Sequence, residues 1–479
     1  MRADAKRNEC GIMGEKEIKE LVKKAVDDGL SILRYQEERV EQEEIADPFS
    51  FYEQFPFLQW AKNGLPDFSY SSVAKIKYSN LFLRTNRYND IQSWKVLQEA
   101  LLSNKEYVAF YGLTAEEEVA RNYHTYFFIA DLIDHYAHVY GKPEYHEKAF
   151  EPVFQAWYGA WSKNELKVDV WVPILFLHFP VGEVELGPGV QLRQIDDARQ
   201  LSKAYFGRHL NSKMQQVFAS ATHALVFEEW VVDNASLDAR NDFLNDPNAF
   251  SDIIEHLAYL MGSLRVVTGE ETGYGQLLVF PAGWSDQWAA DLLPCFPIEQ
   301  HHFPASFLNQ KWKQTPPKIK EKDVQDIADI YKSLSKGGRK SLEVGVQKLN
   351  SIYLNDQSPE SMIDILTALE ALLLDEVHGD PVYKLSMRLG SLLQIAPFSR
   401  KEANDIFKVV EALYKYKLNI LKGSSHLNGK ERKISFYPKK KIDVVSFGTD
   451  LLRHLLLTFF KNPQMQEPAY LDRQLIKGV

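Results

Sequence analysis

The sequence predicts an α+β protein: a mixed helical/β N-terminal and middle region followed by an all-α helical bundle. Three observations predict this. Apolar residues recur at three- and four-residue steps through much of 15–160, and again through almost everything after 321. Between these stretches, from 167 onward, β-branched and aromatic residues form short runs with turn residues between them. Five prolines (Pro294, Pro297, Pro304, Pro316 and Pro317) then mark a linker over 294–320. A chain of 479 residues has room for two to four domains at roughly 100–200 residues each. The expected units are a mainly helical region at 1–165, an α+β region at 166–310 and the bundle at 320–479.

Taken in order, 15–44 reads as a charged helix with a partial apolar stripe: Ile18, Leu21, Val22, Ala25, Leu30 and Ile32. The aromatic stretch 49–68, broken by Pro56, Gly64 and Pro66, reads as an irregular packed connection. Most of 80–160 is helical. There His124, Asp131, His135 and His138 fall on one helical stripe. Helix-borne metal ligands use such steps, but Phe127, Phe128, Leu132, Ile133 and Tyr136 make a hydrogen-bonded polar seam the favoured reading. The run KVDVWVPILFLHF from Lys167 is a strand, and 181–193 is a hairpin turning at Gly187, Pro188 and Gly189. Helix 196–206, strand 221–232 and helix 252–267 follow, the last ending near Gly269. The TGYGQ segment around Gly273 and Gly275 is read as a turn before a short strand at 277–280. Neighbouring His301 and His302 are read as surface residues of the linker. Helices are expected at 321–335, 341–354, 359–376, 381–396, 400–422 and 443–461, with Asp380-Pro381 and Ser399 as starts.

Composition narrows the function classes. The net charge of −9, from 56 basic and 65 acidic residues, argues against a protein that coats nucleic acid over its whole surface, and leaves room for a local basic site. Two cysteines, Cys10 and Cys295, support neither a disulfide framework nor a cysteine zinc site, which fits a cytoplasmic protein. The first twenty residues contain no apolar signal region. No apolar run approaches the ~18 residues a membrane span needs, so no membrane partner is expected.

The chemistry concentrates at 405–426, DIFKVVEALYKYKLNILKGSSH. Ile406, Val409, Val410, Leu413, Lys417 by its stem, Ile420 and Leu421 share a helical face. Lys415, Asn419 and Lys422 line the other side, and Gly423 offers a stop before His426. A helix ending this way either holds a phosphate or simply solvates its basic face. From Lys422 to Lys441 follow seven basic residues: Lys422, Lys430, Arg432, Lys433, Lys439, Lys440 and Lys441, with Phe436 and Tyr437 among them. Such a patch supplies salt-dependent affinity for a nucleic-acid backbone and aromatics that stack bases, or is a solvated loop.

Upstream, Ala-Leu-Glu-Ala-Leu-Leu (368–373) and Lys-Leu-Ser-x-Arg (384–388) precede Leu413-Tyr414 and its basic neighbours. This order resembles the Apea-like branch of the HEPN domains, helical bundles of prokaryotic RNA-cutting toxins, toxin–antitoxin pairs and antiviral defence. The family's catalytic helix reads Leu-Tyr-x-x-Arg-Ser-x-Ile-Val-His-Gly. Leu413, Tyr414, Ile420 and Gly423 match it. Lys417 stands at the arginine position and Lys422 at the histidine position, with His426 four residues on. The resemblance implies a metal-independent endoribonuclease without cofactor, built as a homodimer through the bundle. An arginine steadies the phosphate while a histidine moves the proton that frees the ribose 2′-OH. Here Lys417 would neutralise phosphate as a point charge. Lys422 is protonated at pH 7 and makes a poor base, so His426 is the candidate for proton transfer. Asn419 lies beside them, and Glu370 and Arg388 would point into the bundle nearby, or pair with each other. Two readings result: an RNA-directed effector with altered catalytic residues, whose N-terminal part senses a phage or partner protein, or an inactive HEPN protein that binds RNA or a partner protein as sensor, regulator or scaffold.

Overall fold

A computed structural model describes residues 14–42, 58–68, 91–113, 124, 128–133, 135–136, 140, 144–246, 250–285, 297–374, 379–398, 403–423, 432–436 and 440–477. It is an α+β structure. The N-terminal core gathers helices Glu15–Gln42 (α1), Gln92–Ser103 (α2), Lys105–Tyr111 (α3) and Glu147–Trp161 (α4). In α1 the stripe Ile18, Val22, Ala25, Val26 and Leu30 is buried. It meets an aromatic interior in which Phe128 stacks on Trp157 at 4.4 Å and Tyr107 meets Trp161 edge-on at 5.4 Å. Large rings fill such a core with few rotatable bonds. His124 joins it: its ring lies 4.3 Å from that of Tyr111, and Nδ1 is 3.4 Å from the Tyr107 hydroxyl. His138 lies outside the described residues, and among those described no group of three His, Cys, Asp or Glu is placed to hold a metal.

The centre is a six-stranded antiparallel sheet of Glu165–Ile174 (β3), Glu183–Gly187 (β4), Val190–Gln194 (β5), His223–Asp233 (β6), Tyr274–Pro281 (β7) and Pro297–His302 (β8), in the order β4-β5-β6-β3-β7-β8. Gln59–Trp60 (β1) and Pro66–Asp67 (β2) form a separate small ribbon. Strand β7 is buried at every position, because helices cover both sheet faces. Leu237–Asn245 (α7) follows β6, and one face of the sheet packs on Ser251–Thr268 (α8) and Glu321–Ser335 (α9). The other carries Trp171, Leu278 and Phe280 against Ser212–Ala219 (α6), beside Asp197–Phe206 (α5), and against Phe307. The continuous apolar runs Val170–Ile174 of β3 and Leu277–Phe280 of β7 reflect this double cover.

Two expectations for this region are corrected. The TGYGQ segment is strand, not turn, from Tyr274 onward. Gly275 has no side chain to collide with the Phe218 ring that lies against it. The proline-rich 294–320 segment is not a bare linker: its 297–302 stretch pairs with β7 as the edge strand, so His301 and His302 are strand residues. A proline at the first residue of an edge strand costs no ladder bond.

Helix α8 also packs on Lys340–Leu354 (α10), where its Gly262 meets Val346 at a spacing that leaves no room for a Cβ. Gly262→Ala is therefore expected to destabilise the chain by about 2 kcal/mol through overpacking, read as a drop in the urea unfolding midpoint.

The C-terminal bundle adds Ser361–Leu373 (α11), Pro381–Ile395 (α12), Ala403–Leu421 (α13), Val444–Lys461 (α14) and Pro468–Lys477 (α15) around one apolar core. Asp380 caps α12, accepting from the Val382 and Tyr383 backbone N–H groups at 2.9 and 3.4 Å. Ser399 lies outside the described residues. Gly269 and Gly423 adopt left-handed backbone (φ of 70° and 69°) where α8 and α13 end. The bundle is not helical throughout: strands Lys433–Phe436 (β9) and Lys440–Asp443 (β10) form an antiparallel hairpin between α13 and α14.

Candidate nucleic-acid interface

Helix α13 inserts Ile406, Val409, Val410, Leu413 and Tyr416 into the core. The expected face thus turns through Tyr416 rather than Lys417, and Leu421 is 63 % exposed. A three-residue step from Leu413 keeps Tyr416 under the helix, and the stripe has rotated away from the core by Leu421. Half-buried Lys417 and Tyr414 face α11 together. The Tyr414 hydroxyl donates to Glu370 Oε1 at 2.8 Å, and the Lys417 ammonium lies 3.6 Å from the same oxygen and 5.7 Å from the Tyr414 ring centre. Burial, with the Glu370 carboxylate next, holds the Tyr414 hydroxyl well above its ordinary pKa. It is therefore a fixed donor at neutral pH and not a base.

Arg388 does not join Glu370 in the expected ion pair. With its side chain only 6 % exposed, it grips Asp472 of α15 with two parallel hydrogen bonds of 2.8 Å each, and donates to the Leu373 carbonyl at 2.7 Å. The fork geometry of guanidinium suits this bidentate clamp. Arg432 is also used internally. It bonds Asp443, which accepts the Val445 and Ser446 N–H groups at 3.0 and 2.9 Å as the N-cap of α14, and it donates to the Gln357 carbonyl at 3.0 Å. Asp472, Asp443 and Gln357 thus complete clusters that no sequence spacing linked to 405–426.

The remaining residues sort by exposure. Lys415, Lys422 and Lys433 are exposed, and Asn419 is half-buried. Lys440 and Lys441 lie in β10, with Lys441 paired in register with Ser435. His426, Lys430 and Lys439 lie outside the described residues. The arrangement brings Glu370, Tyr414 and Lys417 together, and ties Arg388 and Arg432 into the scaffold. Comparison of the chain with protein-family models, with curated proteins and with solved structures found no match. Among the described residues no helix is long and apolar enough to cross a membrane.

Proposed function

We propose that the C-terminal bundle is the RNA-directed module of a cytoplasmic prokaryotic defence or stress protein, and that it acts by binding RNA. A phage or partner protein would be sensed by the N-terminal region, and a second copy would pair through the bundle. The observation that carries this reading is the Glu370–Tyr414–Lys417 cluster. The cation at the position where the family resemblance puts the phosphate-holding arginine is balanced by a carboxylate, and the hydroxyl beside it keeps its proton at neutral pH. Exposed Lys415, Lys422 and Lys433 offer charge to a phosphate backbone. The second reading, a metal-independent HEPN-type endoribonuclease, draws on the 3.6 Å gap between Lys417 and Glu370. That is an ion pair too long for a hydrogen bond, so a phosphate could compete for the ammonium. It would need His426 as the proton carrier.

The test is a salt titration of single-stranded RNA binding in excess EDTA, with cleavage read on the same samples. The Lys415→Ala/Lys422→Ala/Lys433→Ala variant is expected to bind more weakly. Its log affinity against log salt should flatten by about 2, at ~0.7 per lost phosphate contact. An unchanged slope would sink the binding reading. Fragments made by the wild type and not by Lys417→Ala/His426→Ala would establish the nuclease instead.

A further inference from the structure

A cavity of about 640 Å³ opens between the β1–β2 ribbon, α6 and the short turn of helix Lys311–Lys313. Its walls come from chain segments 61–67, 212–219 and 312–313, far apart in sequence. Asn63 is the strut. Its amide nitrogen donates to the Trp312 and Gln314 carbonyls at 2.9 and 3.3 Å, while its oxygen accepts the Leu65 N–H at 3.3 Å. Two of the three walls are therefore held together by this one side chain.

The lining has a definite chemistry. Lys62, Lys213 and Lys313 reach it from three separate segments, and Asp67 is the only carboxylate among the described lining residues. Lys313 donates to the neutral Gln310 side chain at 2.9 Å, and among the described residues neither Lys62 nor Lys213 forms an ion pair. Ser212 and Lys213 open α6, whose N-cap Asn211 accepts the Met214 N–H at 3.1 Å. The first turn of the helix thus lines the cavity, and its N–H groups without intrahelical partners favour negative charge nearby. Trp312 is partly buried against the aromatic cluster under the sheet, and also lines the cavity, where Gln216 adds an amide. Three cations on a protein of net charge −9, next to an indole, fit a ligand that is anionic at one end and flat at the other.

We propose that this cavity binds a small phosphorylated ring compound of the nucleoside phosphate class. Its phosphates meet Lys62, Lys213 and Lys313 at the start of α6, and its ring stacks on Trp312 beside Gln216. The volume lies within the usual range for small-molecule sites, roughly 300–1,000 Å³. An indole offers stacking to any base, and lysines supply phosphate charge without demanding one orientation. This site is independent of the RNA reading of the bundle, and either stands if the other fails.

The experiment is calorimetric titration of the full chain, in EDTA, with ATP, adenosine and tripolyphosphate as probes. ATP is expected to bind, more tightly than either fragment. Lys62→Ala/Lys213→Ala should weaken it at least tenfold, and Trp312→Leu should weaken ATP while leaving tripolyphosphate unchanged. Both lysines are exposed, so thermal melting of the double variant should match the wild type. Lys213→Arg should retain binding and report that charge, not shape, was lost. No ATP binding at millimolar concentration overturns the proposal, as does ATP affinity unaltered in the lysine variant. Tripolyphosphate binding as tightly as ATP also overturns it, since the ring would then contribute nothing.

Discussion

Replacing Arg388 with alanine is expected to destabilise the protein by about 3 kcal/mol while leaving the RNA affinity of the folded fraction unchanged. The family resemblance puts this residue near a catalytic helix. The structure has it sealed between α12 and α15, holding Asp472 and the Leu373 carbonyl. Removing one partner of a buried, hydrogen-bonded ion pair costs roughly 3–5 kcal/mol, and the low end applies because Asp472 is 46 % exposed and water can reach it. Arg388→Lys should recover only part of the loss, since one ammonium cannot make the two parallel bonds. Chemical denaturation gives the stability, and RNA titration at a temperature below both unfolding transitions gives the affinity. An affinity loss larger than the unfolded fraction explains would return Arg388 to the functional site.

Acidification from pH 6.5 to 4 is expected to cost about 3 kcal/mol of stability through His223 alone. Its side chain is buried at the start of β6. Nε2 donates to the Val181 carbonyl at 3.0 Å, and Nδ1 is 3.0 Å from the Thr222 hydroxyl, which lies 3.5 Å from His178 Nδ1. Burial, the largest cause, and the neighbouring His178 push its pKa down to about 4, against the Val181 hydrogen bond. Burial and the nearby Lys318 lower His178 as well. The unfolded chain therefore takes up a proton near 6.5 that the folded chain refuses until about 4. Stability falls as pH drops through that window, by ~1.4 kcal/mol for each pH unit crossed. His223→Gln keeps a donor and an acceptor but does not titrate. The urea midpoint of this variant should vary less between pH 7 and 4 than that of the wild type. Parallel pH profiles for the two would show that His223 protonates freely in the fold.

The secondary structure of this chain was legible because it is written in local periodicity. The helices of the bundle follow their three- and four-residue stripes, and the doubly covered strands β3 and β7 follow their apolar runs. Asp380, Gly269 and Gly423 act as the stop and start signals that their residue types announce. Failures came where a local rule met a distant neighbour. Gly275 reads as a turn until Phe218 explains its missing side chain. A proline-rich stretch reads as a linker until β7 supplies an edge for it.

The candidate site shows the same division more sharply. The sequence by itself determined that basic residues gather over 415–441, with Arg388 upstream, and that Lys417 shares a helical face with Leu413 and Ile420. Only the tertiary structure decided which of those charges are spent. Arg388 and Arg432 are neutralised by Asp472 and Asp443, Lys417 is balanced by Glu370, and Lys415, Lys422 and Lys433 remain exposed. The cavity at Trp312 has no sequence signature, because its lysines come from three separate stretches of the chain. The physical reason is common to both. Periodicity fixes which way a side chain points from its own element, within a turn or two. What an ionised group meets there depends on elements tens or hundreds of residues away, and that encounter sets whether its charge is buried, paired or offered to a ligand.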